Sequence, residues 1–188
     1  MAKSKFSGIC GLIFLDLETT GLDPQHDLIL EVYAEVQPVG AYTFAPKELI
    51  DCSVACSKKD FDSRVDDYVR RMHTENGLAE LCFRAHEHGY NSLATVERTI
   101  LAALPRVNSG DLFMLCGNSV HFDLSFIRLH MPGLAAMLSH RVLDVTTLQL
   151  FAEMLGKPAP NTGEAVHRAR ADVNGSKAEL GRIVDLFA

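Results

Sequence analysis

The stretch FLDLETTGLDP, residues 14–24, places two carboxylates two positions apart at the end of an apolar run. In a β-strand, residues i and i+2 point to the same face, so Leu15 and Leu17 pack on one side while Asp16 and Glu18 project from the other. Like charges held side by side repel one another unless a cation lies between them or both open to water. Because acid-x-acid triplets are common, the pair alone favours a solvated strand end, and a metal site requires further ligands.

Length and composition predict a single globular domain over residues 1–188, since 47% of the residues are apolar and 22% are charged. The apolar run at residues 9–15 leads directly into the acidic pair without a small-residue cleavage site, which indicates a first strand rather than a secretory signal. No other stretch approaches the length of a transmembrane helix, so we expect no membrane partner. The five cysteines are an odd number in mostly apolar surroundings, which is typical of buried thiols in a cytoplasmic protein.

The net charge of −6 argues against a long nucleic-acid partner, because proteins that hold long strands usually carry a basic face. Any nucleic-acid ligand is therefore expected to be short. Zinc is not indicated either, since Cys52 and Cys56, and the histidines of HEH at residues 86–88, lack the additional nearby ligands of a zinc site.

The hydrophobic pattern predicts a β-rich first part followed by alternating helices and strands, which is typical of an α/β fold with a mixed β-sheet flanked by helices. Strands are predicted at residues 8–17, 28–37, 41–44, 49–57, 112–116 and 141–143. Helices are predicted from about residue 60, at 92–104 with Ser92 as its cap, at 123–130, from about 146, and at 166–187.

Four carboxylates lie near the predicted strand ends or on the helices that face them: Asp16, Glu18, Asp123 and Asp172. Oxygen-rich sites of this kind suit Mg²⁺ or Mn²⁺. Two such cations about 3.5–4 Å apart can stabilise both the attacking and the departing oxygen of a phosphodiester. A metal site of this kind would also offset the repulsion between the first two carboxylates.

Three motifs, DLETTGLDP, CGNSVHFD and HRARAD, resemble in order and spacing the exonuclease motifs of the DEDDh 3′→5′ exonucleases, which include ribonuclease T and polymerase proofreading domains. Two longer stretches, YVRRMHTENGLAE at 68–80 and the segment 116–148, are similar to the oligoribonucleases in particular. The likeness covers nearly the whole chain. It implies a ribonuclease H-like fold.

The resemblance also implies roles for individual residues. It makes the four carboxylates the ligands of two divalent cations, Mg²⁺ or Mn²⁺, and His167 the general base that activates water. His167 precedes Asp172 by five residues, about 140° around a helix, so both face one site only if His167 lies at the helix start or in the preceding loop. An unperturbed histidine titrates near pH 6.5 and can accept a proton at neutral pH.

The resemblance further implies a set of substrate-binding residues. Leu22 would wedge between two bases, Tyr68 and His73 would line the site, and a 5′ phosphate would bind Ser119, Arg141, Thr146 and Thr147. Structural alternatives stay open, namely Leu22 as turn packing, Arg141 as a surface ion-pair residue and Thr146 as a helix N-cap. The chain departs from the oligoribonuclease pattern at Tyr68, where a Trp is common, and at His140, where a Tyr reaches the partner subunit of the family's dimer.

These observations predict a metal-dependent 3′→5′ exonuclease that hydrolyses very short oligonucleotides, in particular 5′-phosphorylated dinucleotides, to nucleoside monophosphates, and that forms a homodimer. One alternative is a deoxydinucleotide-selective or general single-strand DNA or RNA exonuclease. An alternative from another class is a catalytically silent nucleotide-binding module on the same fold.

Overall fold

A computed structural model describes residues 8–40, 45–157 and 167–187. The described residues contain a five-stranded β-sheet in the order β3-β2-β1-β4-β5. Its strands are β1 (Ile9–Thr19), β2 (Ile29–Pro38), β3 (Lys47–Ser53), β4 (Leu112–Gly117) and β5 (Leu138–Asp144).

The sheet is mixed, as predicted. Strands β1, β2 and β3 form an antiparallel meander, whereas β4 runs parallel to β1, and β5 runs parallel to β4. Parallel pairs require crossover connections, and here helices supply them. The carboxyl ends of β1, β4 and β5 consequently lie at one edge of the sheet.

Eight helices lie in the described residues: α1 (Lys58–Asp62), α2 (Asp67–Glu75), α3 (Leu78–Glu87), α4 (Leu93–Ala103), α5 (His121–His130), α6 (Pro132–Met137), α7 (Val145–Met154) and α8 (Ala169–Asp185). Helices α4, α5 and α6 pack on one face of the sheet, while α7 and α8 pack on the other. None of the helices among these residues combines the length and the apolar character that crossing a bilayer requires.

The alternation of β1 directs its two carboxylates toward α8. Leu15 and Leu17 belong to the core beneath α4, α5 and α6, as predicted, whereas Phe14 packs with residues of α7 and α8. Asp16 and Glu18 continue the row of Phe14 because side chains of a strand alternate between the two faces. The acidic pair therefore faces a helix rather than open solvent.

Several predicted boundaries differ from the structure. The region from about residue 60 forms three helices, and Gly77 at φ +78° separates α2 from α3. Helix α5 begins two residues earlier than predicted, and α8 begins at Ala169 rather than at residue 166.

The strand boundaries differ as well. Strand β3 ends at Ser53 instead of residue 57. Strand β5 is longer than predicted, because its polar, exposed residues interrupt the hydrophobic pattern from which strands are predicted. The predicted strand at 41–44 lies outside the described residues. The N-cap at Ser92 is confirmed, since its side chain accepts a hydrogen bond from the Thr95 amide.

Candidate active site

Three carboxylates from two elements converge at the carboxyl end of β1. Asp16 and Glu18 come from the strand and Asp172 from the first turn of α8, and one oxygen of each lies within 4.8 Å of the others. The Asp172 carboxylate also accepts a hydrogen bond from the Arg168 amide at 3.2 Å. The group therefore combines three oxygen donors in the arrangement that hard divalent cations prefer.

The fourth predicted ligand, Asp123, approaches from α5. Its side chain is buried and accepts a hydrogen bond from the Leu17 amide at 3.0 Å. It is not one of the three residues within 4.8 Å of one another, but its charge acts on Asp16. The structure thus brings all four predicted carboxylates to one end of the sheet.

Burial and mutual repulsion both disfavour the ionised forms of these carboxylates. Burial and the neighbouring charges of Asp172 and Glu31 raise the pKa of Glu18 to about 8. Burial raises the pKa of Asp123 to about 7, although hydrogen bonds such as that from the Leu17 amide oppose this, and the pKa of Asp16 lies well above its ordinary value because of burial and the other acids. A cation among them would favour the ionised forms.

The donor chemistry of the site fits a divalent metal. Among the described residues, no lysine or arginine forms an ion pair with Asp16 or Glu18, and the charge of Arg168 only partly opposes the rise in the pKa of Glu18. All the donors are hard oxygens, and no thiolate accompanies them. The site is therefore suited to Mg²⁺ or Mn²⁺ rather than to zinc.

Sequence reasoning missed a fifth acid behind this cluster. Glu31 on β2 lies directly opposite Glu18 in the antiparallel register, and only 3% of it is exposed. Its carboxylate forms an ion pair with Arg168 at 2.7 Å. The sequence did carry a signal for it, because Glu31 is the one charged residue in the otherwise apolar stretch LILE at residues 28–31, where β2 begins.

A cavity of about 820 Å³ opens beside the carboxylates, within the usual size range of small-ligand sites. Its wall includes the three clustered acids and also Leu22, Tyr68 and His167. Side chains from β1, the following turn, α2 and α8 thus surround one space. The cavity is large enough to admit a small nucleotide ligand next to the acids.

Leu22 stands exposed at the cavity, with 82% of the residue accessible. Its turn is held by Asp27, whose buried carboxylate accepts hydrogen bonds from the Thr20 hydroxyl at 3.0 Å and the Asp23 amide at 2.9 Å. A Cβ on Gly21 would lie 2.5 Å from this carboxylate, so glycine is needed there. Because Leu22 is not packed against the turn, the alternative of turn packing is wrong.

Tyr68 lines the cavity from α2 and is more than half exposed. His73 differs from the prediction that it lines the site, because it is fully buried and does not belong to the cavity wall. His73 follows Tyr68 by five residues, about 140° around α2, and points inward instead. Its Nε2 lies 3.1 Å from the Thr19 carbonyl oxygen and 4.0 Å from a Glu18 oxygen, and burial lowers its pKa.

His167 lies two residues before α8, the position that helix geometry requires if it is to share a site with Asp172. Its backbone adopts φ +55°, an uncommon conformation for a residue other than glycine. Its carbonyl oxygen accepts a hydrogen bond from Nδ2 of Asn76 at 2.8 Å. The chain thereby turns sharply as it enters α8, and His167 joins the cavity wall.

All four predicted phosphate-binding residues lie outside the cavity wall, with Ser119 just after β4, Arg141 in the middle of β5, and Thr146 and Thr147 in the first turn of α7. The hydroxyls of Ser119 and Thr146 are 3.4 Å apart, so the structure brings these two together. Arg141 and Thr147 are exposed, and Arg141 forms no ion pair with any described residue, against the ion-pair alternative. The N-cap of α7 is Asp144, not Thr146, because the Asp144 carboxylate accepts the Thr147 amide.

Comparison with known proteins agrees with this geometry. A family model described as "Exonuclease" matches residues 13–180. An oligoribonuclease of Idiomarina loihiensis is 34% identical over 171 residues, covering 90% of each chain, and one of Pseudomonas aeruginosa is 33% identical over 181 residues, covering 94% of this chain and 95% of the relative. An oligoribonuclease of Corynebacterium efficiens is 35% identical over 174 residues, 90% of this chain and 75% of the relative.

The family match spans most of the chain, and these relatives exceed 30% identity over nearly their whole length or three quarters of it. The carboxylate cluster lies within the matched residues. The chain therefore belongs to this exonuclease family and is an oligoribonuclease-like 3′→5′ exonuclease.

Proposed function

We propose that this chain, as one domain over residues 1–188, is a two-metal-dependent exonuclease that hydrolyses 5′-phosphorylated dinucleotides to nucleoside monophosphates. The observation that carries the proposal is the cluster of Asp16, Glu18 and Asp172 beside a cavity walled by Leu22 and His167. The oligoribonuclease names of the relatives support a short oligonucleotide as the substrate.

Asp16, Glu18, Asp123 and Asp172 would hold two divalent cations, Mg²⁺ or Mn²⁺. Bound there, such cations supply positive charge to the attacking and departing oxygens of a phosphodiester. The protein's own contribution is to keep the four acids in place before the metal binds. Strand β1, helix α5 and helix α8 supply rigid supports for them.

His167 accepts the proton of the attacking water in this proposal. The water oxygen forms a bond to phosphorus while the bond between phosphorus and the 3′ oxygen of the 5′ nucleotide breaks. That 3′ oxygen takes up a proton from water and becomes a hydroxyl, and the 3′ nucleotide is released with the phosphate as its 5′-monophosphate. A 5′-phosphorylated dinucleotide yields two monophosphates in this way. Leu22 and Tyr68 would contact the bases, because each presents an exposed apolar surface at the cavity.

Length selection would come from the 5′ phosphate and the acidic surface. The neighbouring hydroxyls of Ser119 and Thr146 are suitable phosphate donors, and so is the guanidinium of Arg141, which forms no ion pair with a described residue. Thr147 lies in the same helical turn as Thr146. The net charge of −6 offers little counter-charge to further phosphates. A longer strand would therefore gain little affinity from its extra nucleotides.

We also propose a homodimer, with a second copy of the chain covering an exposed apolar surface on the outer ends of α7 and α8. We call this surface the α7–α8 patch; it consists of Leu150, Phe151, Met154, Leu155, Val184 and Phe187. The rings of Phe151 and Phe187 stack across the two helices, which makes the patch continuous. A contiguous apolar patch of this kind is typical of a protein–protein interface.

A cytoplasmic location completes the proposal. All five cysteines are free, and burial raises the pKa of Cys82 and Cys116 to about 12. Thiols of this kind remain protonated and unreactive, which suits a reducing compartment.

We predict that activity requires a divalent metal and that Asp16→Asn abolishes it while leaving the fold intact. In EDTA the variant should be at least as stable as the parent above pH 7, because one repelling buried charge is gone. Dinucleotide hydrolysis with Mg²⁺, Mn²⁺ or EDTA and thermal unfolding in EDTA measure the two effects. The exposed Asp185→Asn is the matched control and should keep full activity. Near-parental turnover by Asp16→Asn would contradict the metal assignment.

His167→Ala should lower kcat by a factor of roughly 10²–10⁴, the usual range for a positioned general base, with little change in dinucleotide affinity. Single-turnover rates and equilibrium binding to a labelled dinucleotide separate the two quantities. His121→Ala serves as control, because the His121 side chain is 81% exposed and does not belong to the cavity wall. If His121→Ala alone reduces kcat, the base has been assigned to the wrong histidine.

The unmodified protein should prefer a 5′-phosphorylated two-mer over a seven-mer, and Arg141→Ala should remove much of that preference. Losing a charged hydrogen bond to phosphate costs about 1.5–3 kcal/mol, or roughly ten- to a hundredfold in two-mer affinity. The measurement is kcat/KM on both lengths, as RNA and as DNA, with exposed Arg98→Ala as the control. Equal values for both lengths in the parent would instead indicate a general single-strand exonuclease.

Sedimentation at micromolar concentration should show a species of twice the 20.7 kDa chain mass. Met154→Glu should convert it to monomer, because Met154 is 83% exposed within the α7–α8 patch and a buried unpaired charge disfavours association. Tyr90→Glu, also exposed but outside the patch, should leave the dimer unchanged. A parent protein that sediments only as a monomer would refute the homodimer.

A further inference from the structure

Glu31 accepts several hydrogen bonds close to the active site. Its carboxylate accepts three hydrogen bonds from the Arg168 guanidinium, at 2.7, 3.0 and 3.2 Å, and a fourth from the Ala169 amide at 2.8 Å. Glu31 is 3% exposed and Arg168 lies directly after His167. A single side chain of β2 therefore holds the first residues of α8.

This contact substitutes for the usual cap of a helix. The N-terminal amides of a helix lack partners within it, and commonly the residue before the helix supplies one from its own side chain. Arg168 occupies that position in α8 and makes no such bond. The Glu31 carboxylate accepts the Ala169 amide instead, so the start of α8 is fixed to the sheet rather than to its own preceding loop.

The residue just before this anchor is His167, whose backbone conformation needs support. Its φ of +55° is rarely adopted by side chains with a Cβ, and such residues persist only where their surroundings hold them. Asn76, between α2 and α3, donates to its carbonyl oxygen at 2.8 Å. His167 is thus held by Asn76 directly and, through the adjoining peptide, by the Glu31–Arg168 pair.

We propose that Glu31, Arg168 and Asn76 are positioning residues for His167, keeping its imidazole at the cavity beside the carboxylates. The proposal rests on the role of His167 as general base in the proposed function. None of the three belongs to the cavity wall, so they act through His167 and not on the substrate. The Arg168 guanidinium donates its hydrogen bonds to Glu31 and forms no ion pair with Asp16, Glu18 or Asp123, although its charge lowers the pKa of Glu18.

The test compares Arg168→Met in two backgrounds, the parent protein and His167→Ala, at saturating Mn²⁺. In the parent we expect kcat to fall about ten- to a hundredfold, the effect of misplacing a reacting group by about 1 Å, while KM for the dinucleotide changes less than about threefold. In the His167→Ala background the same substitution should lower kcat less than about twofold, because the residue it positions is already missing.

Two further variants sharpen the comparison. Arg170→Met removes the same charge two residues along α8, from an arginine paired with Glu48 and Asp51, and should leave kcat within about twofold of the parent. Arg168→Lys keeps a positive charge next to Glu31, so its kcat should lie between those of Arg168→Met and the parent protein.

Asn76→Asp provides an independent arm in case Arg168→Met does not fold. In the parent protein Oδ1 of Asn76 accepts a hydrogen bond from the Leu78 amide at 3.0 Å, at the start of α3, and an aspartate oxygen can accept the same bond. The aspartate cannot donate to the carbonyl oxygen of His167, as Nδ2 of Asn76 does. We expect a fall in kcat at unchanged KM here too, again absent in the His167→Ala background.

The possible results are distinct. Equal losses of kcat in both backgrounds would overturn the inference, since Arg168 would then act on the metal site or the fold, and so would an unaltered kcat for Arg168→Met or Asn76→Asp. If His167→Ala itself keeps parental kcat, the base of the proposed function is wrong, and the positioning role fails with it.

Discussion

The concentration of carboxylates between β1, β2, α5 and α8 is the constraint on which the structure of this end of the molecule depends. Acids that are buried together repel one another, so each requires a compensating partner or becomes protonated. Glu31 forms an ion pair with the Arg168 guanidinium, and Asp123 accepts a hydrogen bond from the Leu17 amide. Asp16 and Glu18 form no ion pair with a lysine or arginine among the described residues, although the charge of Arg168 acts on Glu18, and a bound cation would balance what remains of their charge.

The same constraint explains why two acids that lie opposite each other on neighbouring strands have different surroundings. Glu18 and Glu31 are paired in the antiparallel register of β1 and β2. Glu18 faces the cavity, while Glu31 faces the start of α8 and pairs with Arg168 there. The hydrogen bonds of Glu31 to Arg168 and Ala169 occupy its carboxylate and fix α8 to the sheet at the same time.

Much of this arrangement follows from the sequence, because it depends on local periodicity. The alternation of a strand assigns Leu15 and Asp16 to opposite faces, and the five-residue spacing of His167 and Asp172 requires a turn just before α8. What could not be predicted depends on pairing register and on packing. Nothing local indicates that Glu31 lies opposite Glu18 and pairs with Arg168. For His73 the sequence did carry a signal, because His73 follows Tyr68 by five residues, about 140° around α2, and therefore lies on a different face of that helix.

The order of the ligands along the chain has a consequence for biosynthesis. The clustered acids come from positions as distant in the sequence as 16 and 172, and Arg168 and Ala169 must contact Glu31 of β2 before α8 is anchored. Contacts so distant in sequence form late in folding, and a growing chain folds from its amino terminus as it is synthesised. A nascent chain that lacks α8 would lack Asp172, so the carboxylate cluster would be completed only after α8 has been synthesised.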